Sequence, residues 1–190
     1  EIMKRYLFIL ALAFIAITAP ANAQTIVNSW STGGIFAGGI DYDPVTDTIW
    51  VADETATTIL QFDRSGVLLT SFPSVGTLPI GIGVDPKTGN VWVGDEGEVV
   101  DEMTAAGVPT GRSFSTLPNI TDVSGVSYDP LNDYILISQD SGTRQVGVFD
   151  TNGVWQFAID LSGTGSTDPD GLGYNPATMT YWPGDDIGDT

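Results

Sequence analysis

The sequence contains no cysteine and no histidine. That excludes a disulfide, a thiol nucleophile, a Ser-His-Asp triad and an ordinary Cys/His zinc site. Basic residues are scarce: six Lys and Arg stand against 24 Asp and Glu in 190 residues, a net charge of −18. A surface of that sign repels phosphate backbones and anionic lipid, so nucleic acid and membrane surfaces are poor partners. The longest apolar run, Tyr6 to Thr18, falls short of the ~20 residues a transmembrane helix needs. Charged residues make up only 16% and hydrophobic ones 42%, so the acidity does not signal disorder. What the chain has in quantity is Gly (23) and Pro (11), the composition of a fold with many turns.

Residues 1–23 have the order of a removable leader. The basic Met3-Lys4-Arg5 precedes the apolar run, and Ala19-Pro20-Ala21-Asn22-Ala23 ends it with small residues at the cleavage positions. Cleavage after Ala23 leaves Gln24 at the new N-terminus and a mature segment with 23 acids and four bases, a net charge of −19. The expectation is a bacterial protein that is secreted, periplasmic or held at the cell surface, and stable without disulfides.

From residue 24 onward the chain repeats. Four segments align on Pro44, Pro86, Pro130 and Pro176, spaced by about 44 residues. Five residues before each proline stands Gly39, Gly81, Gly125 or Gly171. One before it is Asp43, Asp85, Asp129 or Asn175; six after it is Trp50, Trp92, Leu136 or Trp182. Ten after it the residue is acidic throughout: Glu54, Glu96, Asp140 and Asp186.

Each repeat reads as four short strands. Gly39 to Asp43 alternates apolar with small or polar residues, and Asp-Pro stops it, because proline has no amide to donate and aspartate turns the chain. Ile49–Asp53 and Ile59–Asp63 are rich in β-branched and aromatic residues, and Val67–Phe72 follows a glycine turn. No helical periodicity interrupts them. A period in this range predicts an all-β propeller of four-stranded antiparallel blades, with residues 24–190 holding about 3.8 repeats of a larger ring. Val27–Trp30 matches Leu69–Phe72 in its distance to the next aligned proline, Pro44 or Pro86, which predicts an opening fourth strand that closes the ring.

The pattern G-I-D-Y-D-P-x-T-x-x-I-W-V-A-D-E resembles NHL-type bacterial propeller repeats over nearly the whole mature chain. That resemblance implies the fold and leaves function open, since such propellers serve as enzymes, sensors and scaffolds. The stretch Thr167 to Pro176, T-D-P-D-G-L-G-Y-N-P, is similar to gluconolactonase-type propellers, where the Asp before Gly helps bind a divalent metal at the central channel. Asp170 matches that position. The residues at the equivalent place in the other repeats, Gly38, Ile80 and Ser124, are not ligands of that kind. The leader and blade style also resemble secreted surface proteins with a C-terminal sorting segment of the PEP-CTERM kind, which would lie beyond Thr190.

Candidate sites follow from these patterns. The acids ending each second strand (Asp53-Glu54, Asp95-Glu96, Asp140, Asp185-Asp186) would form one rim, as Ca²⁺ ligands or as turn caps. The densest set is Asp168, Asp170, Asp185, Asp186 and Asp189, of which the first four are the predicted metal ligands, with Ca²⁺ as the candidate ion. The Trp series at 50, 92 and 182 suits packing between blades better than sugar stacking, because packing between like blades requires periodicity. Lys87, in the turn Asp85 to Gly89, is expected to be exposed. The leading functional expectation is an exported, non-enzymatic scaffold for an unidentified protein or carbohydrate. The alternatives are a divalent-metal-dependent lactonase or esterase with its site at the channel, and a calcium-stabilised surface protein.

Overall fold

The computed structural model describes residues 29–166, 168–175 and 177–184. Fourteen strands are arranged as three four-stranded antiparallel sheets and one two-stranded sheet, with no helix among the described residues. Blade 1 is β1 (Ala37–Asp43), β2 (Thr48–Asp53), β3 (Thr58–Asp63) and β4 (Leu68–Pro73). Blade 2 is β5 (Pro79–Val84), β6 (Val91–Asp95), β7 (Val99–Met103) and β8 (Pro109–Ser115). Blade 3 is β9 (Val123–Asp129), β10 (Tyr134–Gln139), β11 (Gln145–Asp150) and β12 (Trp155–Asp160), and β13 (Leu172–Asn175) and β14 (Thr180–Pro183) begin blade 4. Within each blade the strands pair in chain order, and the first strands of successive blades contact one another around a central channel. The fold is the expected open propeller, about three and a half blades of it.

The glycine five residues before each of the first three prolines has a steric cause. A Cβ on Gly39 would stand 2.7 Å from the Ile82 nitrogen, one on Gly81 2.7 Å from the Val126 nitrogen, and one on Gly125 2.7 Å from the Leu172 nitrogen. The inner strands of neighbouring blades therefore meet backbone to backbone, a distance that only glycine permits. The residue after it then fills the joint. Ile82 is 0% exposed and packs with Trp50, Ala52 and Ile59 of blade 1, while Trp92 meets Val126 and Ile135 at the next joint.

The tryptophans at 50 and 92 are core, as their periodicity predicts. Trp182 occupies the same blade position at the open side of the ring and is 65% exposed, against 1% for Trp50. Ile40, on the open side of blade 1, is 63% exposed where Ile82 has none. Burial of this residue class comes from a neighbouring blade and not from the blade that carries it.

The expected opening strand Val27–Trp30 is only partly within the described residues. Ser29 and Trp30 are not in a strand, but Trp30 packs with Ile35, Ile49, Val51, Leu60 and Phe62 on the outer face of blade 1. The leader, residues 1–23, lies outside the described residues.

Candidate functional site

One end of the channel is a cavity of about 390 Å³ lined by five carboxylates: Glu54, Glu96, Asp122, Asp140 and Asp170. Two local features shape this mouth. The first strand of each full blade carries a bulge, at Gly38, Ile80 and Ser124-Gly125, so the residue six before the proline is turned toward the channel mouth. The residue just past the second strand is pinned beside it by a recurrent backbone bond: Glu54 N–H to Phe36 C=O (3.0 Å), Glu96 N–H to Leu78 C=O (3.1 Å) and Asp140 N–H to Asp122 C=O (3.3 Å).

The acidic pairs split their roles. Asp53 and Asp95 are buried caps: Asp53 Oδ1 accepts the Thr55 amide at 3.0 Å, and Asp95 accepts Gly97 N–H at 3.0 Å and Leu78 N–H at 2.6 Å. In blade 3 Gln139 takes this place, accepting Thr121 N–H through Oε1 and donating to the Ser141 carbonyl. Their neighbours Glu54, Glu96 and Asp140 face the mouth. Partial burial, then the charges of Asp170, Glu96 and Asp53, push the Glu54 carboxyl above its usual range. Among the described residues no Lys or Arg lines this cavity.

Asp170 is positioned by blade 3. Ser124 Oγ donates to Asp170 Oδ1 (2.8 Å) and lies 2.6 Å from the Asp170 carbonyl oxygen, and Ser138 Oγ reaches the same carbonyl at 3.1 Å. Ser124, which matches Asp170 in the repeat, therefore acts as its clamp. Comparing only the positions equivalent to Asp170 misses the partners. The other mouth carboxylates come from the ends of the second strands and from Asp122, and the signal for most of them was the acid that recurs ten residues after the proline.

Asp168 is not among the residues lining the mouth, and Asp185, Asp186 and Asp189 lie outside the described residues. Among the described residues no three of His, Cys, Asp or Glu come together closely enough to share one metal ion.

A second charged cluster was not anticipated from sequence. Glu102, almost fully buried in blade 2, accepts two bonds from Arg112 (Nε and Nη2, both 2.7 Å) and one each from Thr110 and Asn90. Burial alone would raise the Glu102 carboxyl, but these donors outweigh it and hold the carboxyl below its usual range. The Arg112 guanidinium also lies 4.8 Å over the Trp92 ring. Lys87, expected to be exposed, is half-exposed and paired with Asp133 of the next blade.

The fold and channel define a β-propeller of NHL-like repeats. The sequence profile of the arylesterase family matches residues 1–101, more than half of the sequence, and the chain belongs to that family. No curated protein matches the sequence. Among solved structures, the hydrazine synthase of Kuenenia stuttgartiensis is similar over 88% of this chain and 47% of its own, at 14% identity and a TM-score of 0.61. A nidogen/laminin complex matches over 77% of this chain and 56% of its own (14% identity, TM-score 0.61). A streptogramin B lyase matches over 77% and 47% (19% identity, TM-score 0.57). The chain spans about half the length of these structures, and at such identities the likeness is one of fold.

Proposed function

We propose that this chain belongs to an exported propeller that works as a binding or surface-display scaffold, with the acidic channel mouth as its recognition surface. The observation that carries this reading is the convergence of Glu54, Glu96, Asp122, Asp140 and Asp170 on one cavity that no basic side chain lines among the described residues. Such a mouth focuses a negative field and favours a cationic partner, such as a Lys/Arg-rich protein segment. The leader supports export to the periplasm, the cell surface or the medium. Mass spectrometry of protein expressed with its leader tests this, with Gln24 expected as the first residue.

The family supports a second reading, a divalent-metal-dependent lactonase or esterase. In its support, Asp170 lines the channel mouth, and Glu54 is close enough for Asp170 to shift its ionisation. Calcium is the ion this reading and the structural-calcium reading share.

One experiment separates the readings. The full chain is titrated with hexalysine and assayed on lactones and aryl esters with and without Ca²⁺, alongside E54Q/E96Q and D170N. The scaffold reading expects salt-sensitive hexalysine binding, weakened at least tenfold by E54Q/E96Q, and no turnover. Calcium-dependent turnover abolished by D170N would replace it with the hydrolase. A melting temperature that falls in chelator, without turnover, would point to structural calcium.

A further inference from the structure

The other end of the channel is different in chemistry. A cavity of about 270 Å³ lies among the Asp-Pro corners, lined by Asp41, Tyr42, Pro44, Val84, Pro86, Ser127, Tyr128, Pro130 and Tyr174. The one carboxylate among its described lining residues, Asp41, breaks the repeat: the matching residues are Gly83, Ser127 and Gly173. Asp41 Oδ2 accepts the Val84 amide of blade 2 at 2.7 Å, and Oδ1 accepts the Tyr42 amide at 2.8 Å. The blade design does not require that clamp, because glycine stands there in blades 2 and 4. Each oxygen keeps a further lone pair for a ligand.

The walls are set around this carboxylate. The hydroxyl of Tyr42 donates to Asp47 (2.6 Å) and that of Tyr128 to Asp133 (2.8 Å), which fixes both rings from outside the cavity. The Tyr174 hydroxyl is buried beside Asp129, and burial first, then the interaction with the Asp129 carboxylate, push its pKa above the usual tyrosine range. Ser127, only 2% exposed, also faces the cavity. Among the described residues no Lys or Arg lines it, so none of them gives Asp41 a counter-charge there.

We propose that this end of the channel is a second binding site, which takes a small primary alkylammonium ligand between Tyr42, Tyr128 and Tyr174, with its ammonium on Asp41 and Ser127. An ammonium supplies three donors and the missing positive charge, its alkyl part suits the proline-lined wall, and tyrosine rings attract cations. A neutral or anionic ligand would leave the carboxylate uncompensated. Burial, partly opposed by the two amides, already pushes the Asp41 carboxyl up to about 6, with Asp43 adding a smaller push, so a cation would relieve an existing cost.

The probe is n-butylammonium chloride, titrated at pH 7.5 into the full chain and followed by NMR, with n-butanol and butyrate as controls. The expected result is saturable one-to-one binding that D41N weakens at least tenfold and S127A several-fold, while E54Q/E96Q leaves it unchanged. D41N keeps an acceptor for the Val84 amide, so it separates charge from clamp. Equal binding by D41N, equal binding of n-butanol, or loss in E54Q/E96Q would overturn the proposal. If D41N does not fold, cross-relaxation in the wild-type protein decides: contacts from the bound methylenes to the Tyr42 and Tyr128 rings support the site, and their absence at saturation rejects it.

Discussion

The indole of Trp30 lies against Gly66, where a Cβ would stand 2.5 Å from the ring. The same relation recurs one and two blades on: Phe72 of β4 covers Gly107, and Phe114 of β8 covers Gly153, again too close for a Cβ. Each covered glycine has a positive φ, +86° at Gly66, in the turn between a third and a fourth strand. Trp30 therefore holds, on blade 1, the place that the last aromatic of a preceding blade holds elsewhere. Its ring centroid is 4.9 Å from that of Phe62, as Phe114 is 5.3 Å from Phe149.

Trp30→Ala should cost about 2 kcal/mol, less than a fully buried aromatic because the ring is half-exposed. Gly66→Ala should cost at least ~1 kcal/mol, since it meets both the ring and a left-handed backbone. Urea unfolding of the two single variants and the double variant checks this; strong non-additivity is expected because the two sites touch. Losses that simply add would show that Trp30 does not seat on Gly66.

The inner glycines give a sharper contrast. Gly81→Ala should destabilise by roughly 2 kcal/mol or more, because the clash is with the backbone of blade 3. At Gly171 the nearest atom to a Cβ is 3.9 Å away, so Gly171→Ala in this same chain should change stability by less than ~0.5 kcal/mol. Matching losses at both positions would mean that the glycines serve turn geometry and not blade contact.

Arg112→Leu should cost about 2–3 kcal/mol by leaving Glu102 buried and unpaired, while Arg112→Leu with Glu102→Leu should recover most of it. The pair also predicts a pH dependence. The folded Glu102 has a lowered pKa, so its contribution is complete above the ordinary carboxylate range and is lost as pH falls through the lowered folded value. Chemical denaturation of the wild type and the double variant from pH 7 down to pH 3 should show that difference.

Asp41 acts in the opposite sense. Its folded pKa is raised from 3.8 to about 6, so the protein gains most from this group below pH 3.8 and loses that gain as pH rises through 6. The other titratable groups around it, Tyr42, Tyr128, Tyr174 and Asp43, include no cation to offset the charge. Asp41→Asn should therefore be more stable than wild type at pH 7 by about 1–2 kcal/mol, and equal to it near pH 4. An unchanged difference across that range would show that the clamp to Val84 matters and the charge does not.

The blade pattern was legible because its causes are local. Alternation gives the strands, Asp-Pro ends the first, and a glycine turn opens the fourth, so the predicted Ile49–Asp53 and Ile59–Asp63 differ from β2 and β3 by one residue at the start. The core role of Trp50 and Trp92 followed from the same periodicity. The site was legible only in part. Asp170 was identified by resemblance, and Glu54 and Glu96 by recurrence, but nothing in the order of residues said that Asp53 and Asp95 would turn into the loops while their neighbours turned to the channel. Asp122, Ser124 and the Glu102–Arg112 pair had no repeating signal at all.

Residue order alone specifies the unit: a four-stranded blade, its turns, its acidity and its lack of His and Cys. These depend on side-chain period and on the backbone preferences of Gly and Pro, which act over a few residues. Tertiary structure decided everything that needs two blades at once. It made Ile82 buried and Ile40 exposed, set Ser124 on Asp170, gathered five carboxylates at one end of the channel, and left Asp41 among tyrosines at the other. Those outcomes depend on distances between segments about 44 residues apart, and a repeat period carries no information about which of its members will meet.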